Sequence, residues 1–249
     1  MTKLAVIGGT GIEQLDGLVV YEEHSVETPY GAPSRAIQAG RLGNAELLFL
    51  HRHGSPASIP PHLINYRANL WALHSLGASD VVGINAVGGI SSEMRPGRLV
   101  VPDQLIDYSW GREHTFDDGS SGELQHIDFT EPYDRALRAA LLVAADRRGI
   151  DCENGATHAI AQGPRLETAA EVRRMAQDGC DIVGMTGMPE AALARELGLA
   201  YASICMVVNP AAGLGDVPLS LAMMRDILRS ETTVVRALLT ELVGQNFAC

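Results

Sequence analysis

The chain is poor in cysteine and in positive charge and has no long apolar run, and each shortage removes a class of function. Its four cysteines, Cys152, Cys180, Cys205 and Cys249, form no CxxC pair, and their spacing matches no zinc site. The formal charge is −11, with 19 Lys and Arg against 30 Asp and Glu, which argues against a nucleic-acid partner, because backbone binding needs a basic face. No apolar run reaches the roughly 20 residues of a membrane span. The opening MTKLAVIGGTG meets glycines before a signal peptide's hydrophobic region could form. The expectation is a reduced, cytoplasmic setting with no membrane partner. Internal repeats, linkers and low-complexity segments are also missing, so residues 1–249 are expected to form one domain.

What is present is an ordinary core-forming composition, 46% apolar and 20% charged. Short apolar or alternating runs at Leu4–Ile7, Arg35–Ala39, Glu46–Leu50, Val81–Ala86, Arg98–Val101, Thr157–Ala161, Asp181–Val183 and Tyr201–Val208 predict strands. Helical spacing covers Leu63–Leu76, Pro132–Arg148, Glu167–Gln177, Pro189–Leu197 and Leu219–Val243, with Asn65 or Pro61 and Glu131-Pro132 at starts and Gly149 and Gly198 as stops. The alternation predicts an α/β fold with a mostly parallel sheet flanked by helices. A hairpin region between Leu18 and Leu50 makes the sheet mixed. The segment from Asp107 to Phe129 is polar and glycine-rich and too long for an ordinary connection, so it is a candidate functional loop.

Several predicted strands end in polar groups. GGTG at Gly8–Gly11 lets backbone N–H groups approach an anion, and Thr10 can add a hydroxyl. It is not a P-loop, because no Lys-Ser/Thr pair follows, nor the dinucleotide fingerprint, whose last glycine is here Gln14. HRHG at His51–Gly54 follows an apolar run, and Arg52 could offer two parallel donors to a phosphate, although a solvated loop tip would read the same way. NAVGG at Asn85–Gly89 and the pair Met185-Thr186 also end apolar stretches. Later come Glu167 in GPRLET and Asn209 in VVNPAAG. An ionised carboxylate only accepts hydrogen bonds, whereas a carboxamide both donates and accepts, so the pair can hold the ring proton and carbonyl of a six-oxo purine. For Glu167, a helix-start carboxylate favoured by the macrodipole is the plainer alternative.

Taken in order, GGTG, RHG, INYRANLWAL, NAVGG, HIDFTEPY, QGPRLET, GMTGMPE and the strand ending in Asn209 resemble the trimeric purine nucleoside phosphorylase and methylthioadenosine phosphorylase family from residue 4 to about 230. The resemblance implies a nucleoside-phosphorylase fold, a partly barrel-like mixed sheet flanked by helices. It implies no cofactor, with orthophosphate as co-substrate. It places Thr10, Arg52, His53, Asn85, the backbone of Ala86 and Thr186 on phosphate, although relatives often have threonine or serine at Asn85. Met185 would lie beneath the ribose and Leu166 against the base, where relatives often use phenylalanine. His126 would reach a neighbouring subunit's site in a homotrimer. Asn209 and Glu167 would be the catalytic and base-fixing pair.

Enzymes of this family that act on ordinary nucleosides are expected to carry a histidine for the five-prime hydroxyl about fourteen residues after the asparagine. An ungapped count reaches Met223, near Leu221. An apolar group there suits a methylthio substituent and would leave a hydroxyl unpaired. Leu221, Met223 and Met224 could equally be core residues at helical spacing. The expectation is therefore phosphorolysis of S-methyl-5'-thioinosine to hypoxanthine and 5-methylthioribose 1-phosphate. A general six-oxopurine nucleoside phosphorylase and a methylthioadenosine phosphorylase are the alternatives. A non-catalytic purine-binding protein would be marked by loss of Arg52, His53 or Thr186, and all are present.

Overall fold

The computed structural model describes residues 3–247, except 13, 14, 16, 121, 124, 125 and 216–220 and the side chains of 221–223, 225 and 246. The strands are β1 (Leu4–Gly8), β2 (Leu18–His24), β3 (Ile37–Leu42), β4 (Ala45–His51), β5 (Asp80–Gly89), β6 (Leu99–Val101), β7 (Gln104–Asp107), β8 (Cys152–Asn154), β9 (Thr157–Ile160), β10 (Ile182–Gly184) and β11 (Ala200–Pro210). The helices are α1 (Tyr66–Ser75), α2 (Arg135–Arg147), α3 (Ala169–Gln177), α4 (Gly187–Glu196) and α5 (Leu221–Asn246). The strands share one sheet, with the path β2-β3-β4-β1-β5-β10-β9-β7 and a branch on which β11 pairs β5 and β6 and β6 pairs β8.

Strand alternation builds a core on each face. Leu4 and Val6 of β1 and Leu47 and Phe49 of β4 pack with Leu137 and Leu141 of α2 and Leu238 and Leu242 of α5. Ala5, Ile7, Leu48 and Leu50 point the other way, against Leu70 and Leu73 of α1 and Ala191 and Leu193 of α4. Covering both faces explains why these strands read as unbroken apolar runs. Every strand pair that contains β1 is parallel, whereas β2, β3 and β4 pair antiparallel, as the hairpin region predicts.

The sheet is not a closed barrel. Strand β5 pairs along its length with β11 and at Gly88 and Gly89 also with β10, so the sheet branches there instead of rolling shut. Helix α2 begins three residues later than expected, because Asp134, not the Glu131-Pro132 pair, caps it by accepting from Leu137 N. Asn65 caps α1, and Gly149 and Gly198 take positive φ just beyond α2 and α4. No helix among the described residues is long and apolar enough to cross a membrane.

Candidate active site

Strand ends β1, β4, β5, β10 and β11 meet around a cavity of about 180 Å³. Thr10, Arg52, His53, Asn85, Ala86, Leu166, Glu167, Met185, Thr186 and Asn209 all line it. His126 does not. It is exposed on the segment between β7 and α2. The side chains of Leu221 and Met223 lie outside the described residues. Met224 and Leu228, one turn apart on α5, do line the cavity.

One end of the cavity is built from groups that already satisfy one another. Arg52 has no solvent exposure, and its Nε and Nη2 donate to the two oxygens of Glu190 at 2.6 and 2.9 Å. Its Nη1 donates to Ile84 O at 2.7 Å. The two parallel donors expected to face phosphate are therefore committed to a carboxylate, because a fully buried guanidinium needs a counter-charge. Burial alone would lower the Arg52 pKa, and the Glu190 carboxylate overrides that and raises it above its ordinary value. Tyr201 donates its hydroxyl to Glu190 at 2.9 Å, closing the group. Gly9, just after β1, makes room for it. A Cβ on Gly9 would stand 2.6 Å from Arg52 Nη1 and 2.4 Å from Ile84 O.

Thr186, at the entry to α4, donates to Asn85 Oδ1 at 2.7 Å, and the Asn85 amide donates to Ser203. Asn85, expected as a phosphate contact, thus spends both ends of its carboxamide inside the protein and holds Thr186 in place. His53 Nδ1 lies 2.8 Å from Ile59 O, so in the neutral ring Nδ1 donates and Nε2 is left as an acceptor. Burial and then the Arg52 charge lower the His53 pKa, which keeps the ring neutral near pH 7. Below this end sits His158, fully buried, with Nδ1 3.2 Å from the Tyr133 hydroxyl and Nε2 without a partner. Burial and then Arg52 push its pKa down to about 3.

The opposite end is looser. Leu166 is 44% exposed and Glu167 is partly buried. Arg165 turns away from Glu167 and pairs with Glu171 at 2.7 Å, while Glu171 also completes a capping box with Thr168. No side chain among the described residues hydrogen-bonds the Glu167 carboxylate. Burial raises its pKa above the ordinary value, and the nearby Glu171 adds to the rise. Gly163 has φ 62°, and a Cβ there would lie 2.6 Å from Met185 Sδ, so only glycine lets this loop close over Met185. Asn209 faces Gly88 after a register shift between Val207 and Asn209, a bulge that turns its side chain into the cavity. One Asn209 Nδ2–H donates to Pro210 O at 2.6 Å, which leaves Oδ1 and a second N–H uncommitted.

Two contributors escaped the sequence reading. Glu190 sits inside GMTGMPE but is separated from Arg52 by 138 positions, and only an unpaired arginine beside apolar strands hints at it. Arg112 lies in the long polar segment and is 9% exposed, where the sequence offers a charged loop and nothing more. Among the described residues, no group of three or more His, Cys, Asp or Glu side chains could hold a metal ion.

Comparison with known proteins bears on the family and the fold. A family model described as phosphorylase superfamily matches residues 3–244. A probable S-methyl-5'-thioinosine phosphorylase of Pseudomonas syringae pv. tomato is 49% identical over 98% of this chain and 99% of its own length. A 6-oxopurine nucleoside phosphorylase of Pyrococcus furiosus is 42% identical, covering 93% and 88% of the two chains. The structure resembles methylthioadenosine phosphorylase from Schistosoma mansoni in complex with adenine, with a TM-score of 0.93 and 32% identity over 98% of this chain and 91% of the other.

Proposed function

The chain belongs to the phosphorylase superfamily, and we propose that it cleaves S-methyl-5'-thioinosine with orthophosphate to give hypoxanthine and 5-methylthioribose 1-phosphate. The observation that carries this reading is that Glu167 and Asn209 share one cavity with Thr10, His53 and Thr186, while α5 presents Met224 and Leu228 to the same space. The pair at one end has the donors and acceptors of a six-oxo purine edge. The described α5 side chains lining the cavity offer a five-prime substituent apolar contact and no hydroxyl partner, which suits a methylthio group.

In the proposed reaction a phosphate oxygen attacks the anomeric carbon as the bond to the purine nitrogen breaks. The bonding electrons leave with the base, and the sugar passes through an oxocarbenium-like state. No protein nucleophile is needed, because phosphate supplies both the attacking atom and negative charge beside the ribosyl cation. Neutral His53 would accept the phosphate O–H at Nε2, and Thr10, Thr186 and the Ala86 backbone would hold the other oxygens. Glu167 would accept a hydrogen bond from the purine ring N–H. Asn209 would donate to the base as charge collects on it, an interaction that helps turnover because it strengthens in the transition state. Met185 would lie under the ribose and Leu166 beside the base. Leu221 and Met223, also expected at the five-prime side, have side chains outside the described residues.

A homotrimer with shared sites fits His126 lying exposed and away from its own cavity, on a segment that also exposes Trp110 and Ile127. Light scattering tests this, with an active monomer as the opposing result. A reducing, cytoplasmic setting is supported by Cys152, Cys180 and Cys205 standing as free thiols. The reaction is tested by assaying methylthioinosine, methylthioadenosine, inosine and guanosine with and without phosphate. Methylthioinosine should be cleaved fastest and only with phosphate. Rapid adenine release from methylthioadenosine would overturn the purine assignment. Inosine as best substrate would favour the general six-oxopurine reading suggested by the Pyrococcus furiosus relative.

A further inference from the structure

All five N–H donors of Arg112 have an acceptor, and the acceptors belong to separate segments that lead to different walls of the cavity. Its Nη2 donates to Ala161 O at 3.2 Å and Gln162 O at 2.8 Å, and its Nε to Gln162 Oε1 at 3.2 Å. These atoms stand at the root of the loop that carries Leu166 and Glu167. Its Nη1 donates to Met188 O, two residues beyond Thr186, and to the Tyr66 hydroxyl at 3.4 Å. Tyr66 in turn donates to Pro61 O at 2.8 Å, and Pro61 lines the cavity. The guanidinium carbon also lies 5.5 Å from the Tyr66 ring centre. A nine-tenths buried cation spent wholly on neutral oxygens of three separate segments is an uncommon use of charge.

We propose that Arg112 is a positioning residue that sets the distance between the purine-side loop and the phosphate-side loop, and so the line along which phosphate meets the anomeric carbon. The strands behind the loops, β9 and β10, already pair, and Ala161 N donates to Gly184 O at 2.8 Å, whereas beyond that ladder the backbone carbonyls of Ala161 and Gln162 on one loop and of Met188 on the other converge on this one planar fork. A lysine cannot reproduce it, because one ammonium point with three donors does not span acceptors spread on two sides of a plane. The inference rests on the phosphorolytic reading for its kinetic consequence, but the joining of the two loops stands apart from turnover.

The experiment compares wild type with Arg112→Lys and Arg112→Gln by steady-state kinetics and by hydrogen exchange. A spacing role predicts that kcat falls by about 100-fold in both variants, while KM for phosphate and for nucleoside each move by less than about threefold. Residues 160–168 and 184–190 should gain exchange together, and guanidinium ion added at millimolar concentration should restore part of the kcat of Arg112→Gln. Unchanged kcat, a loss confined to KM, or faster exchange on the 160–168 side alone would overturn the assignment. A wild-type enzyme with no phosphorolysis would refute the reading of the site instead, and the paired exchange would still decide the role of Arg112.

Discussion

The two ends of the cavity are built on opposite plans. At the proposed phosphate end, Arg52, Glu190, Tyr201, Asn85, Ser203 and Thr186 are buried and bonded within two groups before any ligand arrives. At the proposed purine end, Leu166 is 44% exposed, Glu167 carries an unshared carboxylate and Asn209 keeps its Oδ1 and one N–H uncommitted. The difference teaches where each end keeps its free energy. A pre-ordered cradle loses little entropy on binding and suits a ligand that never changes, which is orthophosphate in the proposed reaction. A loosely held reader leaves its hydrogen bonds to be completed by the base, so the wrong base leaves polar groups unpaired.

Breaking the tight end should cost most. Replacing Glu190 with Gln leaves the Arg52 charge buried without its partner, and chemical denaturation should show a loss of about 3–5 kcal/mol, with activity near background. A stable, active Glu190→Gln enzyme would mean that the cradle is not held by this pair.

The loose end should yield specificity in place of stability. Asn209→Asp exchanges a donor for an acceptor, and the ratio of kcat/KM for methylthioadenosine over methylthioinosine should rise by about 100-fold, equivalent to about 2.7 kcal/mol. Denaturation midpoints should barely move. No change in the ratio would show that the base edge is read elsewhere.

The tight end also carries a pH signature through His158. Its folded pKa, about 3, lies below the ordinary 6.5, so between those values the unfolded chain takes up a proton that the folded chain refuses. Stability from this residue is whole above pH 6.5 and falls as pH drops, by about 2 kcal/mol at pH 5. In His158→Gln, which can still accept from Tyr133, the difference in unfolding free energy between pH 7 and pH 5 should shrink by that amount. The smallest effect is expected at the five-prime side. Met224→His should raise inosine turnover relative to methylthioinosine by about tenfold, and no gain would place the five-prime pocket away from Met224.

The legible parts of this molecule are those whose signal is local. The apolar runs at Leu4–Ile7 and Glu46–Leu50, Asn65 as one of two candidate starts of α1, and the stops at Gly149 and Gly198 each depend on a few neighbouring residues, and the fold keeps them. The weak strands β7 and β8 were not foreseen, because QLID and CEN are too short to show a period and are ordered by pairing with β9 and β6. Ten of the thirteen expected site residues line one cavity, and it was the family resemblance of their motifs in order, not any one motif, that brought them together. Partnerships across the chain were not legible. Arg52 to Glu190 spans 138 positions and Thr186 to Asn85 spans 101, so Arg52 and Asn85 read as free ligand groups, whereas the fold pairs Arg52 with Glu190 and Asn85 with Thr186 and Ser203. Arg112 looked like one more charge in a polar loop for the same reason.

The bulge in β11 has a consequence for how this chain can vary. Because the register slips by one residue, Val208 stays in the core and Asn209 faces Gly88 where the ladder is already interrupted. A new side chain at 209 therefore disturbs neither the packing beneath the sheet nor the pairing on either side. The vocabulary of the base and the grammar of the sheet occupy adjacent positions of one strand yet can be edited independently, and a single codon could alter what is read while leaving the fold as it stands.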